Sequence, residues 1–219
     1  MRLVVMPGVF RPRSDSWMLT ETLAGLRLEA GTETLDLCTG SGVAAIAAAR
    51  AGAWATAVDV SRRSVLTVRL NARLNGVSSN LVAVRGDLFS GLRDRSFDVI
   101  TSNPPYVPSR DDRLPARGPS RAWEGGRDGR AVLDRICAGA PERLRPGGRL
   151  LLVHSSLCGT DETLERLARA GLDARVVRRE RGPLGSLMTR RAAELERRGL
   201  LAPGRREEEI VVVEGRRPA

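Results

Sequence analysis

The tetrapeptide Asn103-Pro104-Pro105-Tyr106 brings an amide side chain, backbone carbonyls and an aromatic ring within four residues. Phe97-Asp98-Val99-Ile100, just before it, reads as a short buried strand. Two prolines must end that strand, because proline has no N–H for the ladder and pushes the residue before it into extended backbone. Asn103 is therefore expected at a strand end, with a stiff turn behind it and Tyr106 at its shoulder. A planar –NH2 group suits that arrangement: it donates to the amide and carbonyl oxygens while its plane packs on the ring. Taken alone, the motif is equally an ordinary strand-ending turn. Three acids tip the balance. Asp36, Asp59 and Asp87 each fall at the carboxyl end of a predicted strand. A hydrophobic core needs none of them, and their convergence with Asn103 on one rim defines a site.

The elements that must position these residues follow from glycine and proline punctuation. Thr34–Cys38 is a strand running into Thr39-Gly40-Ser41-Gly42, and Val43–Arg50 is an Ala-rich helix. A strand, a glycine turn and a helix let backbone approach a ligand and aim free N–H groups at it. Ala55–Asp59 is the second strand, ending in an acid 17 residues after Gly42, where a carboxylate can take both ribose hydroxyls. Asn80–Arg85 is the third, closing at Gly86-Asp87-Leu88. Strands are further expected over 149–154, 175–179 and 209–213, with Pro146-Gly147-Gly148 turning the chain into the first of these. Helices are expected from Ser14 to a stop at Gly31, after a Ser61 cap, around Val132–Ala140, after a Thr160 cap, and over 188–199. Residues 1–12 carry a short apolar strand-like piece before Phe10-Arg11-Pro12. Alternating strands and helices mean an α/β fold with a mostly parallel, seven-stranded sheet and helices on both faces. No repeat or linker divides the chain, so 1–219 reads as one domain, with 1–32 a covering segment and 33–219 the core. Residues 107–128 lack periodicity, carry Trp123 and read as a substrate lid beside the site.

Composition narrows the classes. The formal net charge is +10, all 36 basic residues are arginine, and residues 61–219 carry 31 of them against 20 acids. Most alternate with Asp and Glu along helices, the pattern of a solvated face. A basic surface can also attract nucleic acid. The three cysteines and the lone His154 have neither metal-ligand nor disulfide spacing, so no metal is expected. No apolar run approaches the ~20 residues of a membrane span, and the first residues are broken too soon by Pro7 for a signal peptide. The expected location is cytoplasmic.

Gly40-x-Gly42-x-x-Ala45 with Asp59 also fits the dinucleotide fingerprint of a nicotinamide or flavin enzyme. Against it stand Asp36, placed to hold a positively charged amino group, Asp87, available to an adenine amine, and the Asn-Pro-Pro-Tyr turn where a hydride-transfer residue would be expected. Together Asp36–Gly42, Asp59, Asp87 and Asn103–Tyr106 resemble an S-adenosylmethionine-dependent methyltransferase of the Rossmann-like class I fold. More narrowly, they resemble the HemK-type protein-(glutamine-N5) methyltransferases that modify peptide-chain release factors. Phe10-Arg11-Pro12-Arg13-Ser14-Asp15-Ser16 is similar to the segment before the first helix in short members of that family, which lack the N-terminal helical domain. Gly182–Gly185 and the Glu-rich approach to the last strand also fit. The resemblance implies S-adenosylmethionine contacts from Ser16, Asp36, Cys38, Gly40, Gly42, Asp59, Val60, Asp87, Leu88 and Asn103. It implies catalysis by Asn103, Pro104, Pro105 and Tyr106: Asn103 and the Pro104 carbonyl accept the amide N–H bonds, and Tyr106 packs on the amide plane. Cys38 stands where the family has its first loop glycine. The short members work with a small zinc-containing activator protein at the third-strand edge, which here is Leu81–Val84. The same turn serves N6-adenine and N2-guanine nucleic-acid methyltransferases, and a small-molecule acceptor or a cofactor-binding scaffold without activity are the remaining alternatives.

Overall fold

The computed structural model describes residues 1–92 and 94–219. Its elements are α1 (Ser14–Gly25), β1 (Glu33–Leu37), α2 (Val43–Arg50), β2 (Trp54–Asp59), α3 (Arg62–Leu74), β3 (Leu81–Arg85), β4 (Phe97–Ser102), α4 (Leu133–Arg143), β5 (Leu144–Ser155), α5 (Thr160–Arg169), β6 (Asp173–Pro183), α6 (Ser186–Arg197) and β7 (Glu207–Arg216), with short 3-10 turns at Pro119–Ala122 and Ser156–Cys158. The strands form one sheet in the order β3-β2-β1-β4-β5-β7-β6. β3, β2, β1, β4 and β5 run parallel, and β7 joins β5 and β6 antiparallel. The strand order reverses between β1 and β4, where such sheets open a crevice at their carboxyl ends.

One sheet face packs on α1, α2 and α3 through residues such as Met18, Ile46, Val68, Ala57 and Val153. The other packs on α4 and α5 through Ile136, Leu167, Leu37, Ile100 and Val211. These central strands are apolar on both sides because helices cover both. A third cluster, Val107, Leu184, Met188, Ala192, Leu195 and Leu201, lies apart from both and joins α6 to the segment after β4.

Several boundaries depart from the sequence expectation. Residues 3–6 join no strand. Asn71 and Asn75 of α3 hold that segment instead: Val4 N–H donates to Asn71 Oδ1 (2.8 Å) and Asn71 Nδ2 to the Val4 carbonyl (2.9 Å), and Asn75 does the same with Arg2. A side-chain amide thus satisfies an extended backbone as a neighbouring strand would. α1 stops at Gly25, and Gly31 lies beyond it. Pro146-Gly147-Gly148 sits inside β5, where pairing with β4 jumps from Phe97↔Leu144 to Val99↔Arg149, so the turn is a bulge. β6 continues through Gly182-Pro183, and α6 begins at Ser186, two residues earlier than expected. Ser61 caps α3 by accepting from Ser64 N–H (3.3 Å). Thr160 is the first residue of α5, not its cap, and its hydroxyl has no partner; Gly159, at φ 79°, takes the cap position.

Candidate active site

Gly40 (φ 54°) and Gly42 (φ 84°) turn the chain between β1 and α2 in the left-handed region. A Cβ on Gly42 would lie 2.9 Å from Val68 Cγ2, so packing as well as backbone angle requires glycine. Gly42→Ala is expected to lower stability by roughly 1–3 kcal/mol, read by urea denaturation; unchanged stability would mean that α3 yields at Val68. Cys38 holds the same left-handed conformation (φ 55°) without a glycine's freedom. The loop therefore keeps its turn despite the substitution, and burial pushes the Cys38 thiol well above its usual range.

Asp59, at the end of β2, accepts from Gly40 N–H (3.0 Å) on one oxygen and from Ser61 N–H (2.8 Å) on the other. Burial raises its pKa, and these two bonds oppose that rise. The carboxylate thereby ties β2 to the glycine turn. Asp87 is half-exposed and paired with Arg135 of α4 at 2.8 Å. Beside it Leu88 is buried at φ 51°. Asp59, Val60, Asp87 and Leu88, with Cys38 and Gly40, line one wall of a cavity of about 710 Å³. Asn103, Pro104, Pro105 and Tyr106 line the same cavity, so the expected residues of β2, β3 and β4 do meet.

Asp36 and Ser16 stand apart. Both line a second space of about 30 Å³, enclosed by Phe10, Pro12 and Thr39 and adjoining the larger cavity through Phe10, Cys38, Gly40 and Asn103. Gly42 borders neither space. Asp36 is buried and accepts from Thr39 Oγ1 (2.5 Å) and Thr101 Oγ1 (2.8 Å). Burial outweighs these bonds and raises its pKa to about 6.

The start of α1 completes the site, and its key residue was not singled out from the sequence. Asn103 Nδ2 donates to Ser16 Oγ (3.1 Å), which leaves Oδ1 as the amide atom open to a ligand. Ser16 Oγ donates to Asp15 Oδ1 (3.2 Å), and the Tyr106 hydroxyl donates to Asp15 Oδ2 (2.8 Å). Asp15 is thus the hub that fixes both Asn103 and the Tyr106 ring. Burial, then the Asp15 charge, pushes the phenol well above its usual pKa, so it stays a donor. The signal available was the Asp-Ser pair at a helix start, which local reasoning reads as capping.

Residues 107–128 are tied down rather than free. Val107 N–H donates to the Trp123 carbonyl (2.7 Å) and Gly125 N–H to the Val107 carbonyl (2.9 Å). Gly125 admits no side chain: a Cβ would lie 2.6 Å from the Pro105 oxygen. Arg191 of α6 reaches the Pro108 carbonyl and Glu124, and Arg198, just past the end of α6, reaches the Ser109 and Arg127 carbonyls. Trp123, Leu187 and Met188 also line the cavity.

The methyltransferase small domain family model matches residues 1–116. A Methanocaldococcus jannaschii protein assigned as a protein N5-glutamine methyltransferase is 34% identical over 188 residues, 85% of this chain and 92% of that one. The chain belongs to this methyltransferase family. A release factor glutamine methyltransferase of Gloeobacter violaceus is 38% identical over 160 residues, and the match spans about half of that longer protein (56%) and 69% of this chain. In fold the methyltransferase matches the E. cuniculi Mtq2-Trm112 complex responsible for methylation of the eRF1 termination factor, with TM-score 0.65, 22% identity, and coverage of 96% of this chain and 99% of that one. Among the described residues no helix of the methyltransferase is long and apolar enough to cross a membrane.

Proposed function

We propose that this methyltransferase transfers the methyl group of S-adenosylmethionine to the side-chain amide nitrogen of a glutamine in a peptide-chain release factor. Asn103 carries the reading: Ser16 holds its nitrogen, so its oxygen is presented as an acceptor beside Tyr106, at the mouth of a turn in a chain related to glutamine methyltransferases. The residues present suit the cofactor. Asp59 offers a carboxylate to ribose hydroxyls, Leu88 and Val60 offer apolar surface to a base, and Asp87 an acceptor to its amine. Gly40 and Gly42 hold the loop geometry, Cys38 supports the turn, and Asp36 with Ser16 faces the small space suited to the amino-acid end. Phe10 and Pro12, from the 1–32 segment of a single-domain enzyme, cover that end.

S-adenosylmethionine supplies an electrophilic methyl group on a sulfonium. The chain's own task is to make a poor nucleophile react. An amide nitrogen is weakly nucleophilic because its lone pair is delocalised into the carbonyl. Asn103 Oδ1 and the Pro104 carbonyl accept its two N–H bonds and orient the lone pair, while Pro105 stiffens the turn and Tyr106 packs on the amide plane. Fixed acceptors favour the more positive nitrogen of the transition state, each contributing about 2–4 kcal/mol.

A small zinc-containing activator would pair with β3. β3 is a sheet edge, and Val82 on it is 58% exposed; an open apolar edge is a template for another strand. The test is labelling of cell extract with methyl-labelled S-adenosylmethionine, with and without an added Trm112-type protein. Protease-sensitive label recovered as methylglutamine in a release factor is the expected result, and the activator is expected to increase it. Label lost to nuclease instead would overturn the acceptor assignment.

A further inference from the structure

The lining of the cavity contains a carboxylate that none of the roles above uses. Glu208, at the start of β7, is buried at 6% exposure yet lines the same cavity as Tyr106. Ser155 Oγ at the end of β5 donates to its Oε2 (2.5 Å), and Gly185 N–H at the start of α6 donates to its Oε1 (2.8 Å). Both donors are neutral. Seven arginines, Arg13 among them, also line the cavity, yet among the described residues none forms an ion pair with Glu208 or with Asp15. A buried carboxylate without a counter-ion is costly to keep. Burial, then the Asp15 charge and after it that of Glu208, raise the Tyr106 phenol pKa. Anchoring α6 would need only a neutral acceptor for Gly185 N–H, so the charge calls for another use.

We propose that Glu208, with Asp15, gives the acceptor half of the cavity a negative potential that favours an acceptor nitrogen becoming positive. The inference rests on the amide-methylation reading above. As the amide nitrogen forms its bond to the methyl carbon, its lone pair becomes the N–C bond, the S–C pair stays on sulfur, and the positive charge passes from sulfur to nitrogen. The nitrogen then loses one proton to water and becomes a neutral N-methyl amide. Asp15 and Glu208 are both buried, and charges shielded from water lower the energy of that passage more than the same charges in water would. The ground-state amide is neutral, so the effect acts on turnover and not on binding.

The test separates charge from shape. Glu208→Gln keeps an oxygen for Gly185 N–H and lets the Ser155 hydroxyl turn to accept, while removing the charge. Its melting temperature and S-adenosylhomocysteine affinity are expected to match wild type, and its kcat to fall about 10- to 100-fold with little change in KM. A second readout needs no turnover. N-acetylornithine amide carries an ammonium as many bonds from Cα as the glutamine amide nitrogen, so it mimics the charged transition state. With S-adenosylhomocysteine present, calorimetry is expected to show it binding wild type at least tenfold more tightly than N-acetylglutamine amide. That preference should nearly vanish in Glu208→Gln and persist in Glu208→Asp. An equal preference in wild type and Glu208→Gln would overturn the proposal, whatever the melting temperatures. If wild type prefers the ornithine ligand through Glu208 but labels no release factor, the acceptor assignment fails and the role of Glu208 stands.

Discussion

Asn103→Ala is expected to lower kcat about 100- to 1,000-fold, the range for losing one preorganised group that acts on developing charge, while changing S-adenosylmethionine affinity less than threefold. Asn103 bonds Ser16, while Asp36 and Asp59 are held by partners of their own, so both carboxylates keep their geometry when Asn103 is removed. Ser16→Ala should give a smaller loss, because the amide stays present but is free to turn over. Single-turnover rates at saturating cofactor, with equilibrium dialysis of labelled S-adenosylmethionine, separate the two effects. A fall in cofactor affinity as large as the fall in rate would move Asn103 from the acceptor side to the cofactor side.

The second large effect is a pH dependence centred on Asp36. Its folded pKa is raised from 3.8 to about 6, chiefly by burial. A carboxyl raised on folding prefers the protonated form in the native state. Its contribution is therefore fully present below about pH 3.8 and is lost as pH rises through about 6. The difference in pKa corresponds to about 3 kcal/mol. Asp36→Asn, which keeps a neutral partner for Thr39 and Thr101, should thus gain about 2 kcal/mol over wild type at pH 7.5 relative to pH 4.5 in chemical denaturation. Cofactor binding runs the opposite way. An ammonium group needs the ionised carboxylate, so wild-type affinity should rise between pH 5 and 6.5 and flatten above. Asp36→Asn should lose at least tenfold in affinity and lose that slope. A wild-type binding curve flat across this window would detach Asp36 from the amino-acid end of the cofactor.

The strand-end residues were legible because each sits beside its own punctuation. Asp59, Asp87 and Asn103 are followed within two residues by a helix cap, a turn or a proline, and the local pattern alone places them on one rim of a parallel sheet. Asp15, Ser155 and Glu208 were not legible in that way. They approach Tyr106 or one another from 53 to 91 residues away in the chain, and nothing local marks an acid as turned inward. The 107–128 segment shows no periodicity because what holds it, Arg191 in α6 and Arg198 just past it, lies far along the chain. Residues 3–6 have the composition of a strand, and only the Asn71 and Asn75 amides, spaced one helical turn apart, explain why they pair with a helix instead. Composition could see the arginine excess but not that Glu208 is left out of it.

The arginine clasp between α6 and the segment after β4 divides the molecule in a way that bears on how its specificity could change. Asp59, Asp87 and Leu88 come from the carboxyl ends of β2 and β3, whereas Trp123, Leu187, Met188 and Glu208 come from two segments locked to each other by Arg191 and Arg198. Those two segments, residues 107–128 and 183–208, form one transplantable cassette. Moved together between related chains they would carry their own mutual contacts with them, and moved singly each would leave its arginines or carbonyls without a mate. Chimeras that exchange both segments at once are the natural route to a new acceptor on an unchanged methyl-donating frame.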